Sequence, residues 1–233
     1  MRRYIYFVFL LCCAVNLLLT SCVRQKYVVM DMVHHNPGEA MTESKFLDPS
    51  FLKKNEYGAK VFFLFEAAQF GIDWKSFDPS LFPDTTEAGR WVAEKAEIIH
   101  KKYDAAKKED LQVYCMLDML VLPSLLVEKH RTELTNEQGK LDISKPYTQL
   151  CIRELMKEMF ETFPQLDGLV IRTGETYLHD APYYVGNHPV QNGMYDHITL
   201  INLLREEVCE RRNKKLFYRT WDMGQLHSIP KYY

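Results

Sequence analysis

The chain has no excess of positive charge: 29 lysines and arginines stand against 31 aspartates and glutamates, a formal net charge of −2. No basic stripe appears either, which excludes a nucleic-acid surface as its working face. Cysteine is too sparse and too scattered for a disulfide framework. Of six, Cys12, Cys13 and Cys22 sit near the N-terminus, and Cys115, Cys151 and Cys209 lie far apart without metal-ligand spacing. No glycine-rich phosphate loop follows the first apolar strand, which counts against a nucleotide-binding sheet, and no pattern asks for a cofactor. The helical His-x-x-x-His spacing of zinc hydrolases is also missing. His34 and His35 are adjacent, and neighbours on a strand point to opposite faces, so one ion cannot easily hold both. His179, Asp180 and His188 add candidate ligands without a supporting spacing, and no metal site is assigned.

What the N-terminus does have is a leader. Arg2 and Arg3 precede a mostly apolar run from Tyr4 to Leu19, short for a spanning helix, with small residues after it. Leu19-Thr20-Ser21-Cys22 resembles the lipobox of bacterial lipoproteins, in which the cysteine is lipidated after cleavage. The resemblance implies a signal peptide over 1–21 and a mature domain over 22–233, anchored to a bacterial membrane through Cys22 and located in the cell envelope. An uncleaved membrane anchor or an ordinary secretory leader is the competing reading. Removing residues 1–21 takes away two arginines, leaving 27 basic residues against 31 acidic ones, a net charge near −4.

Beyond the leader, apolar strand-like runs alternate with amphipathic helical patterns. The runs are Tyr27 to Val33, Val61 to Phe65, Leu111 to Leu117, Asp167 to Tyr177 and Leu216 to Trp221. Asp48-Pro49 opens a short helix, and Asp84-Thr85-Thr86-Glu87 reads as a capping box for a longer one. Further helices are expected over Ser124 to Lys129, Tyr147 to Phe163 and Asp196 to Arg212, with a polar loop over Arg131 to Pro146. Near-continuous apolar strands between helices indicate a parallel α/β sheet covered by helices. Each strand ends in polar or aromatic residues and a long loop, which favours a (β/α) TIM-type barrel over a doubly wound sheet. Five strands are legible where a closed barrel needs eight. The expectation is therefore an incomplete barrel, the front part of a longer protein, with a small open five-stranded domain as the plain alternative.

In such a barrel the residues at strand ends line one rim. Cleavage of a glycosidic bond needs two carboxyl groups, one protonated and one ionised. Glu175 follows the fourth strand beside Tyr177 and the run His179-Asp180-Ala181-Pro182-Tyr183-Tyr184. Aromatic neighbours that exclude water can raise a carboxyl pKa into the range of a general acid. A turn cap or an ion pair with Arg172 is the competing role for Glu175. His34, His35, Asn36, Glu66, Asp118, His179 and Asp222 are candidates for hydrogen bonding to sugar hydroxyls, and Trp221 and Tyr183 for stacking on a sugar ring. Trp74, Phe77 and Tyr184 are weaker stacking candidates, whose default role is packing of the loops. Arg172 and Arg219, near the ends of adjacent strands, suit a carboxylate or sulfate on the sugar; ion pairs with Asp31 or Asp118 compete.

Phe163 to Glu175, reading FPQLDGLVIRTGE, resembles the fourth-strand region of barrel glycoside hydrolases, and remotely that of the α-glucuronidases, where the strand leads to a general-acid glutamate. Lys215-Leu216-Phe217-Tyr218-Arg219-Thr220-Trp221 is similar to that family's next strand. The stretch from Val29 to Glu39 is similar to envelope lipoproteins of gut-type bacteria described only as hydrolase-like. The resemblance implies a carbohydrate substrate and carries one role over, that of Glu175. The family's base carboxylates come from later strands, so a chain with five strands is expected to lack its second carboxylate and to be inactive alone. A non-catalytic carbohydrate-binding lipoprotein is the main alternative, and a metal-dependent hydrolase a further one.

Overall fold

The computed structural model describes residues 30–31, 44–63, 66–173, 176, 178 and 180–219. Five strands form one parallel sheet: β1 (Met30–Asp31), β2 (Ala59–Phe63), β3 (Gln112–Asp118), β5 (Gly168–Arg172) and β7 (Lys215–Arg219). Their order across the sheet is β1-β2-β3-β5-β7, the order of the chain itself. Every new strand is therefore added to the same edge. Because parallel crossovers are right-handed, growth in one direction puts the connecting helices on one face. A doubly wound sheet reverses direction at a switch point; this sheet has no reversal among its described strands.

The helices are α1 (Pro49–Lys54), α2 (Glu87–Lys108), α3 (Ser124–Lys129), α4 (Arg131–Leu134), α5 (Pro146–Thr162) and α6 (Met194–Leu204). The side chains of each strand alternate between two environments, as the pleat requires. Phe62, Val113, Cys115, Leu117, Leu169 and Ile171 join the main core with Ile99 and Tyr103 of α2, Ile152, Leu155 and Met159 of α5, and Leu200 and Leu204 of α6. The opposite face carries a separate, smaller cluster of Ala59, Val61, Tyr114, Met116 and Val170. Each fully buried aliphatic side chain contributes roughly 1.5–3 kcal/mol, so the helix-facing side supplies most of the stability.

Local chemistry fixes the element ends. Helix α2 starts two residues later than the expected capping box: Thr86 is the cap, its hydroxyl accepting from Gly89 N at 3.0 Å and donating to Pro83 O at 2.7 Å. A Cβ at position 89 would lie 2.1 Å from the Pro83 carbonyl oxygen, so only glycine fits there. Asp167 closes the turn into β5 and ties it to β3, its carboxylate accepting from Val113 N at 2.7 Å and from Lys107 Nζ at 2.5 Å. The stretch expected as polar loop contains α4 and a bridge between Thr135 and Leu141.

Helix α6 passes into a π-helical segment, Arg205–Glu210. Its hydrogen bonds span five residues rather than four, and three of its ion pairs do the same, with Glu207 also reaching Arg211 four residues on at 3.2 Å. Arg205 pairs with Glu210, Glu206 with Arg211 at 2.7 Å, and Glu207 with Arg212 at 2.9 Å. Arg153 of α5 adds contacts to Glu206 at 2.8 Å and Glu207 at 2.5 Å. Arg153 and Arg211 hold the Glu206 carboxyl down to about 2.

Candidate functional site

The loop after β2 is fastened at three points, one on strand β3 and two on helices α5 and α3. Ala68 N donates to Cys115 Sγ at 3.1 Å, Ser76 N to the Glu158 carboxylate at 3.1 Å, and Lys129 to Asp78 at 2.8 Å. Burial pushes the Cys115 thiol up to about 12, which makes it an inert core residue. Within this loop Trp74 is fully buried at φ 58°, packed edge-on against Phe77 at 6.1 Å. Trp74 is thus part of the core rather than a surface on which a sugar ring could stack. The same holds for Tyr184, buried between Phe70 at 5.0 Å and Phe82 at 5.6 Å.

The loops after β3 and β5 join across the C-terminal ends of the strands. There β4 (Val121–Pro123) pairs antiparallel with β6 (Tyr184–Gly186). This two-stranded ribbon was not legible in the sequence, since each strand is three residues long. Backbone crowding secures it: a Cβ at Gly186 would lie 2.5 Å from the Leu120 oxygen. Asn187 then clamps the ribbon to the β-bridge loop, accepting from Leu141 N at 2.7 Å and donating to Leu141 O at 3.0 Å.

At the same ends of the strands, on the face turned away from the main core, lies the most polar feature of the described sheet. Register sets Asp118 of β3 opposite Arg172 of β5, and Arg172 opposite Arg219 of β7. In strand parity Asp118 follows Tyr114 and Met116, and Arg172 follows Val170, all members of the smaller cluster. Arg172 Nε donates to Asp118 Oδ1 at 2.5 Å and Nη2 to Oδ2 at 2.6 Å, a two-pronged pair with both residues buried. The guanidinium carbon stands 5.9 Å from the centre of the Phe63 ring, one layer down. Of the three acids proposed as partners for Arg172 from the sequence (Asp31, Asp118 and Glu175), the structure pairs Asp118 with it.

The remaining candidates separate. Glu66 is held on the helix side: its carboxylate pairs with Lys102 of α2 and its carbonyl accepts from Tyr103 Oη at 2.9 Å. Tyr183 lies half-buried with its ring 5.8 Å from Trp91, and desolvation, with Glu87 nearby, raises its phenol pKa. His34, His35, Asn36, Glu175, His179, Trp221, Asp222 and the lipidation candidate Cys22 lie outside the described residues, as does the side chain of Arg219. Among the described residues, no three His, Cys, Asp or Glu side chains are grouped to hold a metal ion.

One polar pair escaped the sequence reading. His197 of α6 is buried against Tyr218 of β7, ring centres 4.9 Å apart, with Nδ1 3.4 Å from the phenol oxygen. Burial lowers the imidazole pKa. Position 197 falls on the sheet-facing stripe of α6 with Leu200 and Leu204, which marks it as internal once the helix phase is known.

No protein-family model matches the chain, and no curated protein sequence does. Two solved structures share part of its backbone course. A noncanonic maltogenic alpha-amylase from Thermotoga neapolitana aligns over 85% of this chain at 13% identity, with a TM-score of 0.46. A GH138 enzyme targeting pectin rhamnogalacturonan II aligns over 64% at 14% identity, with a TM-score of 0.36. The chain spans 46% of the length of the first and 18% of that of the second.

Proposed function

We propose that the chain is a glycoside hydrolase-like domain that engages poly- or oligosaccharide outside the cytoplasm, tethered through Cys22 to an envelope membrane. It is built as part of a (β/α) barrel, with Glu175 as the general acid. The observation that carries the reading is the Asp118–Arg172 pair at the C-terminal ends of parallel strands that are added in one direction only. One-directional growth of a helix-backed sheet is the topology that curls toward a barrel, and the C-terminal ends are where barrel enzymes place their chemistry. Glu175 follows Arg172 by three residues, so the same strand that holds the ion pair leads into it. Asp118 fixes the Arg172 guanidinium in one orientation, as a positioned donor toward a sugar carboxylate or hydroxyl.

No second catalytic carboxylate is assigned among the described residues, where Glu66 and Asp118 are both in ion pairs. The test is release of reducing ends from oligosaccharides by the protein. Glu175→Gln is expected to lower turnover by about 10²–10⁴-fold, the usual worth of a general acid, with affinity little changed. Turnover equal to that of the parent would overturn the assignment.

One observation favours a second reading, a binding protein without catalysis. Both described strand-end carboxylates, Glu66 and Asp118, are engaged in ion pairs. Sugar binding by the protein, with no cleavage of any oligosaccharide tried, would select it.

A further inference from the structure

Away from the strand ends, the outer side of the helix layer carries a groove of about 330 Å³ between α5 and the α6–π segment. It lies at the small end of the size range of ligand pockets. Gln149 lines it from α5, with Thr199, Asn202 and Leu203 from α6. Its rim charges balance: Arg153 is paired with Glu206, and Arg205 with Glu210. No side-chain hydrogen bond engages Thr199 or Asn202 among the described residues, leaving a hydroxyl and an amide for an outside partner. One turn before Thr199 on the same helix stands Tyr195, the most exposed large apolar side chain described, at 75%. Tyr195, Thr199, Asn202 and Glu206 are spaced 4, 3 and 4 residues apart and so form one stripe, about 16 Å long at the α-helical rise.

We infer that this stripe is a second carbohydrate-binding site, for a neutral oligosaccharide that stacks one ring on Tyr195 and hydrogen-bonds to Thr199, Asn202 and Gln149. The charge balance argues against an ionic ligand. An exposed aromatic face followed by an amide and a hydroxyl matches a sugar, which has an apolar C–H face and a ring of hydroxyls. The π segment contributes directly. By widening the helix after Leu204 it brings Arg205, Glu206 and Glu210 to the rim together, where their pairing spares the polar groups between them. The inference rests on the carbohydrate reading of the previous section but uses none of the residues at the strand ends.

The test is isothermal titration of the whole chain with maltoheptaose, cellohexaose and hexagalacturonate, repeated on Tyr195→Ala, Asn202→Ala and, as a control, Ile98→Ala, an exposed position on α2. At least one neutral probe is expected to bind more tightly than the acidic one. Its affinity should fall tenfold or more in Tyr195→Ala and in Asn202→Ala and hold within twofold in Ile98→Ala. Both outer positions are exposed, so melting temperatures should stay at the parent value and report intact folding. Equal affinity in parent, Tyr195→Ala and Asn202→Ala overturns the outer site and leaves the strand-end reading standing. Binding of hexagalacturonate alone also overturns it, while binding of none of the three removes the carbohydrate basis of both.

Discussion

The two faces of the parallel sheet are made by the same strands, residue by residue, and they differ in kind. Toward the helices, Cys115, Leu117, Leu169 and Ile171 are all at 0% exposure within one continuous apolar core. On the other side a five-residue apolar cluster stops after Met116 and Val170, and the next residue of that parity on β3 and β5 is charged, Asp118 and Arg172. One face is built to hold the fold, while the other gives up apolar burial for a fixed ionic group at the strand ends. A buried ion pair contributes little net stability compared with apolar residues of the same size. Its presence there is therefore better explained by positioning than by folding.

That comparison breaks most sharply at Arg172. Arg172→Leu leaves the buried Asp118 carboxylate without its two-pronged partner and should cost about 3–5 kcal/mol, the usual penalty for halving a buried pair. The double variant Asp118→Leu with Arg172→Met should recover most of that loss while sugar binding at the strand ends is lost. Urea unfolding of the parent and the two variants checks the stability statements, and oligosaccharide titration checks the loss of binding; a cost below about 1 kcal/mol for Arg172→Leu would mean that water, not burial, surrounds the pair.

One residue earlier the side chain points the other way. Ile171→Ala empties a fully buried site on the helix face and should cost about 3 kcal/mol through lost transfer energy and the cavity left behind. Ligand affinity of the folded fraction should not move. A variant that kept its stability but lost affinity would reverse the roles assigned to the two faces.

How much of this was legible follows from the same alternation. The five sheet strands were readable because each is a near-continuous apolar run between helical patterns, and their order needed only the rule that neighbours in sequence pair. Pairing at long range was not readable. The ribbon of Val121–Pro123 with Tyr184–Gly186 joins segments some sixty residues apart, each too short to show a period. The π segment was read as a plain continuation of helix because its Arg-Glu pairs five residues apart stand beside Glu207–Arg211, which fits the 4-residue spacing of an α-helix. At the site, Arg172 was visible as a strand-end cation, yet only the register could choose Asp118 over Asp31 as its partner. Asp167, inside the stretch that resembles a hydrolase strand, is a structural brace between β3 and β5. A carboxylate beside a glycine gives no hint of which backbone amide it will meet.

The smallest expected effect concerns the brace that keeps the loop after β2 on the helix-facing side. Lys129 and Ser80 hold the Asp78 carboxyl at about 2 instead of 3.8. Between those two values the unfolded chain takes up a proton that the folded chain refuses. The contribution is therefore whole above pH 3.8 and is lost as pH falls through 2. Lys129 is about a third exposed, so solvent screening reduces the contribution to about 1 kcal/mol. Asp78→Asn should lower stability by that amount at pH 6 and shrink the difference from the parent to nothing near pH 2. Some acid sensitivity should remain in the variant, because Arg153 and Arg211 depress Glu206 in the same range. Melting temperatures of the two proteins from pH 6 to pH 2 decide the matter: curves that stay parallel would mean that the Lys129 contact is not kept in solution, and that the loop is held by Ala68, Trp74 and Ser76 instead.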